Sequence, residues 1–261
     1  MAWNPEQYEK FKSERTAPFD DLLKLVEVKP GVRAIDLGCG TGELTRKLAD
    51  ALPDSEVTGL DSSTSMLARS GLHVRPGLRF IQGDIAELKG SYDLIFSNAA
   101  LQWLPDHWRL FPKLWRHLNP LGQLVVQMPA NHDHPSHRLA RELAESAEFA
   151  AYFPEGGRQS PVLPPEAYAE MLFGLGGEDL TVLLKVYPHV LADADAIVEW
   201  VKGTLLTAYL ERLPPPEQEK FLGRYRTRLR ELFPQKPVFY GFKRILMAAS
   251  ATARTSSTRP P

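Results

Sequence analysis

Asp36 and Glu43 bracket a short run, Gly38-Cys39-Gly40-Thr41-Gly42, that follows the apolar stretch Ala34-Ile35-Asp36-Leu37 and opens a helical pattern. Glycine serves a turn where a Cβ would strike a ligand or where φ is positive, and the free N–H groups of the following helix start receive an anion. The chain therefore brings its backbone close to a ligand here. The spacing is G-x-G-x-G, and Glu43 stands where a dinucleotide turn, G-x-G-x-x-G, has its third glycine. Two acids beside the turn would repel a pyrophosphate. They suit a ligand that carries positive charge next to a carboxylate.

Further acids close the next β-rich runs. Asp61, followed by Ser62, stands about 20 residues beyond the turn, where a carboxylate accepts both hydroxyls of a ribose. Met66 follows within a helical turn, and a thioether there lies well on a purine face. Asp84 and Ile85 form a pair suited to accept from an adenine amino group and pack on its ring, and Ser97-Asn98-Ala99-Ala100 sets small and polar groups beside a reacting carbon. Taken singly, Asp36, Asp61 and Asp84 read equally well as strand-end turn formers or helix caps. Their weight comes from standing in series behind one glycine turn. S-adenosylmethionine (SAM) carries a ribose, an adenine, an ammonium, a carboxylate and a sulfonium, and it is the cofactor expected at Asp36, Gly38, Cys39, Gly40, Asp61, Ser62, Met66, Asp84, Ile85 and Asn98. Cys39 has no evident base partner and reads as a small filler between glycines.

The elements that must hold these residues are legible in the pattern. Runs at Arg33–Leu37, Glu56–Asp61, Leu78–Asp84, Tyr92–Asn98 and Gln123–Met128 alternate with amphipathic stretches such as Glu43–Leu52 and His107–Leu118. This predicts a doubly wound α/β fold with a mostly parallel, seven-stranded sheet. Thr181–Tyr187 reads as a strand returning to the sheet, and Phe242–Ala248 as a last, antiparallel edge strand. The expected organisation is a helical cap over 1–30, a cofactor-binding core over 31–128, and a helical lid inserted over 129–178. The remaining strands and a substrate-side helical segment follow over 179–249, then a disordered tail over 250–261.

The chain has 261 residues and a formal net charge of −1, which gives no global attraction to nucleic acid or anionic lipid. One cysteine excludes an intrachain disulfide and a cluster of soft metal ligands. No signal-peptide pattern and no run of ~20 apolar residues is present, so a cytoplasmic protein is expected. A monomer acting on a small molecule is the accompanying expectation, on which charge and the apolar pattern give no decision. His132, His134 and His137 sit with Asp133 in one short stretch, which reads as solvated rather than as a metal site.

With its turn Asp36-Leu37-Gly38-Cys39-Gly40-Thr41-Gly42 the chain resembles the class I SAM-dependent methyltransferases. Within them it is similar to the trans-aconitate methyltransferases, through Trp3-Asn4-Pro5 with Tyr8 and Glu14-Arg15-Thr16, then Asn98-Ala99-Ala100-Leu101-Gln102-Trp103-Leu104-Pro105-Asp106-His107. Val125–Pro129, Gly157-Arg158, Pro164-Pro165 with Tyr168, and Ala196–Thr204 extend the likeness from Trp3 to about Met247. The resemblance implies O-methylation of a carboxylate on a small polyacid such as trans-aconitate. A carboxylate is already ionised at neutral pH, so positioning at near-attack distance replaces a general base. Asn98, Gln102 and Trp103 are the candidates beside the reacting methyl. Tyr8, Arg15, Trp103, Arg158, Tyr168, Trp200 and Tyr240 are the candidates for the substrate.

Two segments depart from the family. After Thr204 the usual Gly-Leu-Arg-Pro is replaced by Leu205-Leu206-Thr207-Ala208-Tyr209, so an arginine is lost, and the usual Pro-Asp-Asn is Pro129-Ala130-Asn131. A substrate carboxylate left without its guanidinium would cost several kcal/mol. Arg15 and Arg158 are the expected replacements, because a guanidinium grips a carboxylate through paired hydrogen bonds. The alternatives are a methyltransferase of a phenol or hydroxy acid, with His107 or His137 as base, and a non-catalytic SAM-binding module. An NAD(P) oxidoreductase is disfavoured by Asp36 and Glu43.

Overall fold

The computed structural model describes residues 12–253, with side chains from Thr16 onward. Tyr8, the side chain of Arg15 and most of the tail expected to be disordered lie outside the described residues.

The strands are β1 (Arg33–Leu37), β2 (Glu56–Asp61), β3 (Leu78–Gln82), β4 (Tyr92–Asn98), β5 (Leu118–Pro129), β6 (Gly177–Leu191) and β7 (Val238–Ala251). The helices are α1 (Lys12–Leu23), α2 (Glu43–Ala51), α3 (Thr64–Leu67), α4 (His107–Trp115), α5 (Pro135–Glu145), α6 (Pro165–Gly174), α7 (Ala194–Lys202), α8 (Thr207–Leu210) and α9 (Pro215–Leu232). The seven strands form one sheet in the order β3-β2-β1-β4-β5-β7-β6. β1 to β5 are parallel and β7 runs antiparallel to β5. The chain winds outward from β1 through β2 and β3, then returns to place β4 on the other side of β1. That reversal falls between β1 and β4, and the carboxyl ends of the strands at such a switch point are where open α/β sheets bind ligands.

Strand composition accounts for this order. Ala34 to Leu37 of β1 are all buried, as expected of a parallel strand covered on both faces. β7 corrects the expectation of an edge strand, because it lies between β5 and β6. Ile245 to Ala249 are buried without alternation, which an edge strand with one wet face would not tolerate. β6 takes the edge and leaves Leu183, Leu184, Val186 and Val190 exposed. β7 also runs to Ala251, into the segment expected to be disordered.

The chain forms two compact units. One comprises Arg15–Pro129, Pro161–Lys185 and the chain from Arg244; the other comprises Ala130–Ser160 and Val186–Lys243. The segment read as one lid over 129–178 therefore divides, with Pro161 onward joining the sheet unit. In the sheet unit Phe19, Leu48, Val57, Phe96, Val125 and Leu246 pack in one core, with Phe19 edge-on to Phe96 at 5.7 Å. In the helical unit Phe221 stacks on Tyr209 at 5.8 Å and meets the edge of Phe149 at 5.1 Å, inside a core that α5, α7 and α9 supply.

Candidate functional site

At the carboxyl end of β1 the chain turns with φ of 77° at Gly38 and 81° at Gly42. Leu60 O fixes the turn by accepting from Gly38 N at 2.8 Å and Cys39 N at 3.1 Å. Asp61 completes the hold: Oδ2 accepts from Gly40 N and Oδ1 from Ser63 N, each at 2.8 Å. Both carboxylate oxygens are thereby oriented, and each retains a lone pair for a ligand hydroxyl. Gly42 caps α2 without a side-chain hydrogen bond, and a helix start of this kind is where backbone N–H groups receive an anion. A Cβ at Gly40 would lie 3.2 Å from Met66 Cε, and one at Gly38 would lie 4.0 Å from Ile85 Cδ1, so both apolar side chains flank the turn. Asp84 is exposed, its Oδ1 accepting from Ala86 N. Ser62 is also exposed, and its carbonyl accepts from Gln82 Nε2 at 3.3 Å.

Asp36 is buried beneath the turn and accepts from Thr45 Oγ1 at 2.6 Å. Burial, opposed by the Thr45 hydrogen bond and helped by the neighbouring Asp61 charge, pushes its carboxyl up to about 7. Burial, with the charges of Asp36 and Asp61, also drives the Cys39 thiol far above the ordinary cysteine range. Cys39 thus lacks the thiolate a nucleophile needs and fills space, as its place between glycines implies. A SAM molecule fits this donor set: its cationic groups would restore the charge of Asp36, and its carboxylate would meet the helix N–H groups.

Asn98 closes β4 and Ala99 follows at φ 56°. Gln102 donates to Ala99 O at 2.7 Å, which ties the 3-10 turn Leu101–Trp103 to the end of the strand; Trp103 is half-buried there. Gln127 Nε2 donates to Asn98 Oδ1 at 2.7 Å, and Gln127 Oε1 accepts from Arg244 Nη1 at 2.9 Å. Gln127 and Arg244 are both buried and were missed by the sequence reading. The available signal was the charged pair Lys243-Arg244 inside the otherwise apolar run Phe242–Ala249.

Tyr168 and His107 meet in the interior of the sheet unit. Tyr168 is fully buried, accepts from Leu163 N at 3.0 Å and donates to His107 Nδ1, while His107 Nε2 donates to Leu101 O at 3.0 Å. Burial lowers the imidazole pKa and raises that of the phenol. This chain of bonds braces the turn that carries Gln102 and Trp103. Both ring nitrogens of His107 and the hydroxyl of Tyr168 are engaged in it.

Arg158, Trp200 and Tyr240 belong to the helical unit. Tyr240 is fully buried with its hydroxyl 3.0 Å from Ser136 Oγ, and Trp200 packs on His189 at 4.5 Å and against Phe242. Both lie in the core of this unit. Arg158 is half-buried beside Tyr209, and burial lowers its pKa. His134 caps α5 by accepting from Ser136 N at 3.2 Å. Among the described residues no group of His, Cys, Asp and Glu could hold a metal ion, and no helix is long and apolar enough to cross a membrane.

Burial and the Lys243 charge lower His134 to about 4, and burial with the neighbouring His134 lowers His137 to about 3. Unfolded, both take a proton near 6.5. Below that pH the unfolded chain binds more protons, so their contribution to stability is full above about 6.5 and is lost as pH falls toward 4. Asp36 has the opposite sign, since its raised pKa favours the folded state below about 4 and that benefit is lost as pH rises through about 7. Urea midpoints at pH 7 and pH 5 separate the two: His137→Gln reduces the loss of stability at pH 5, whereas Asp36→Asn enlarges it.

A family model described as a methyltransferase domain matches residues 34–122. Together with the sheet order and the glycine turn, it defines a class I SAM-dependent methyltransferase. The chain is 52% identical over 96% of its length to trans-aconitate 2-methyltransferase of Deinococcus radiodurans, of which it covers 98%. It is 40% identical over 90% of its length to the enzyme of that name from Variovorax paradoxus, covering 91% of it. The solved structure of the YcgJ protein from Bacillus subtilis shares the fold, with a TM-score of 0.61 at 16% identity, 91% of this chain and 99% of that one being covered. The chain belongs to the trans-aconitate 2-methyltransferase family.

Proposed function

We propose that the protein transfers a methyl group from SAM to a carboxylate oxygen of trans-aconitate or a closely similar small polycarboxylate, giving a monomethyl ester and S-adenosylhomocysteine. The reading includes a monomer, working in the cytoplasm on an anionic substrate. The observation that carries it is 52% identity sustained over 96% of the chain with a relative of that name.

When bound, SAM supplies an electrophilic methyl group. Asp61 would hold the ribose, Met66 and Ile85 would pack on the adenine, Asp84 would accept from its amino group, and the start of α2 would receive the methionine carboxylate. Asp36 supplies negative charge beneath the turn. Gln102 and Trp103 stand with Asn98 at the methyl end, on a turn braced by Tyr168 and His107. Arg158 is a candidate for gripping a substrate carboxylate. Both nitrogens of His107 are engaged within the sheet unit, which favours a nucleophile needing no base over a phenol. Holding an ionised oxygen in line with the methyl is then the main source of rate.

Protein incubated with methyl-labelled SAM and a panel of polycarboxylates led by trans-aconitate should yield base-labile label, since methyl esters hydrolyse in alkali. Base-stable product, or no transfer to any acid while SAM still binds, would move the substrate to another class.

Asp36 couples binding to pH. Free protein protonates it near 7, and a cationic ligand favours the ionised form. SAM affinity is expected to weaken about tenfold from pH 8 to pH 6 and to level off above 7. Calorimetry at pH 6 in buffers of different ionisation enthalpy should show proton release, and Asp36→Asn should abolish it.

A further inference from the structure

We infer that Arg244, acting through Gln127, locks the side-chain amide of Asn98 so that its N–H groups face the acceptor oxygen of the substrate. The inference rests on the proposed carboxylate methylation and adds a positioning relay to it.

The relay has one possible polarity. A guanidinium carries only donors and stays protonated, so the Gln127 atom that meets Arg244 Nη1 at 2.9 Å must be the carbonyl oxygen. The other end of that amide is then its NH₂, and what it meets at 2.7 Å must be Asn98 Oδ1. Asn98 is left with its Nδ2 pair, for which no acceptor is found among the described residues. Free asparagine amides flip readily; this one has a direction set by a charge it does not touch.

The sheet explains why the relay ends at the reacting centre. Asn98 pairs with Gln127 in the parallel register of β4 and β5, and Arg244 pairs with Pro129 in the antiparallel register of β5 and β7. Arg244 and Gln127 are buried whereas Asn98 is half-buried, so the relay runs from the covered interior to the carboxyl end of β4. That end adjoins the glycine turn, since Asp36 pairs with Phe96 two residues earlier. A donor pair there, backed by a buried positive charge, suits an anionic oxygen and repels a cation. The specificity predicted is for carboxylate over amine acceptors.

Gln127→Glu tests the direction. A carboxylate at 127 keeps its bond to Arg244 but accepts at both oxygens, so Asn98 must turn its Nδ2 inward and present Oδ1 to the substrate. We expect kcat/KM for trans-aconitate to fall about 10- to 100-fold, with SAM affinity within about threefold of wild type. Arg244→Met should fall similarly, and Arg244→Lys, which restores a cationic donor, should recover part of the loss. A folded Gln127→Glu protein with unchanged kcat/KM overturns the relay, and one whose loss lies wholly in SAM affinity shows that Asn98 faces the cofactor instead. Failure of the wild type to methylate any polycarboxylate would instead refute the proposed reaction. Amide NMR then still tests the relay: Gln127 side-chain protons exchanging slowly and those of Asn98 quickly support it, and the reverse overturns it.

Discussion

Gly38→Ala is expected to remove measurable SAM binding and to lower the melting temperature, because two independent costs fall on one methyl group. The first is conformational: φ at Gly38 is 77°, a region that costs an L side chain about 1–2 kcal/mol. The second is steric, since the new Cβ would lie 2.2 Å from Ala100 Cβ and 3.6 Å from Ala100 Cα. Neither atom can rotate away, so the turn or the end of β4 must shift. A shift in either place separates the glycine turn from Asn98 and moves the N–H groups that meet the cofactor. We expect SAM affinity to fall about 100-fold or more, as when several oriented hydrogen bonds are lost together. The double variant Gly38→Ala with Ala100→Gly removes the steric cost and keeps the conformational one. It should recover part of the affinity by calorimetry. If Gly38→Ala alone binds SAM normally, the turn is not the cofactor cradle.

Ala100 also marks how far the sequence could be read. The parallel half of the fold was legible because each of its strands is a compact apolar run closed by a turn residue, and Arg33–Leu37, Glu56–Asp61 and Tyr92–Asn98 form strands at the expected bounds. The same locality placed Asp36 and Asp61 at strand ends beside the turn. What failed was non-local. The position of β7 between β5 and β6 depends on which strands pair, and periodicity within β7 carries no such information. Tyr168 and Tyr240 are substrate candidates through the family resemblance alone, which says nothing of where their hydroxyls point. Those hydroxyls meet His107 and Ser136, partners 61 and 104 residues away in the chain. Arg244 was passed over for the same reason: its acceptor, Gln127, lies 117 residues earlier.

Asp61→Asn should produce the second large loss, and its pattern identifies which part of the cofactor Asp61 holds. Asparagine is nearly the same size, so the strand end survives, but the carboxylate accepts from Gly40 N at one oxygen and Ser63 N at the other. An amide has one acceptor, so either orientation points its NH₂ at a backbone N–H. The turn therefore loses a hydrogen bond that no rotation restores, and a ribose hydroxyl loses a charged acceptor. Hydrogen bonds to charged groups contribute roughly 1.5–3 kcal/mol each, so loss of two corresponds to about a 100-fold weakening or more. The ribose is common to SAM and S-adenosylhomocysteine, whereas the sulfonium charge belongs to SAM alone. Asp61→Asn should then weaken both ligands by similar factors, while Asp36→Asn weakens SAM more than its uncharged product. Calorimetric titration of both ligands against both variants separates the roles. Equal SAM affinity in Asp61→Asn and wild type would place the ribose elsewhere. A selective loss of SAM over S-adenosylhomocysteine would move Asp61 from the ribose to the sulfonium.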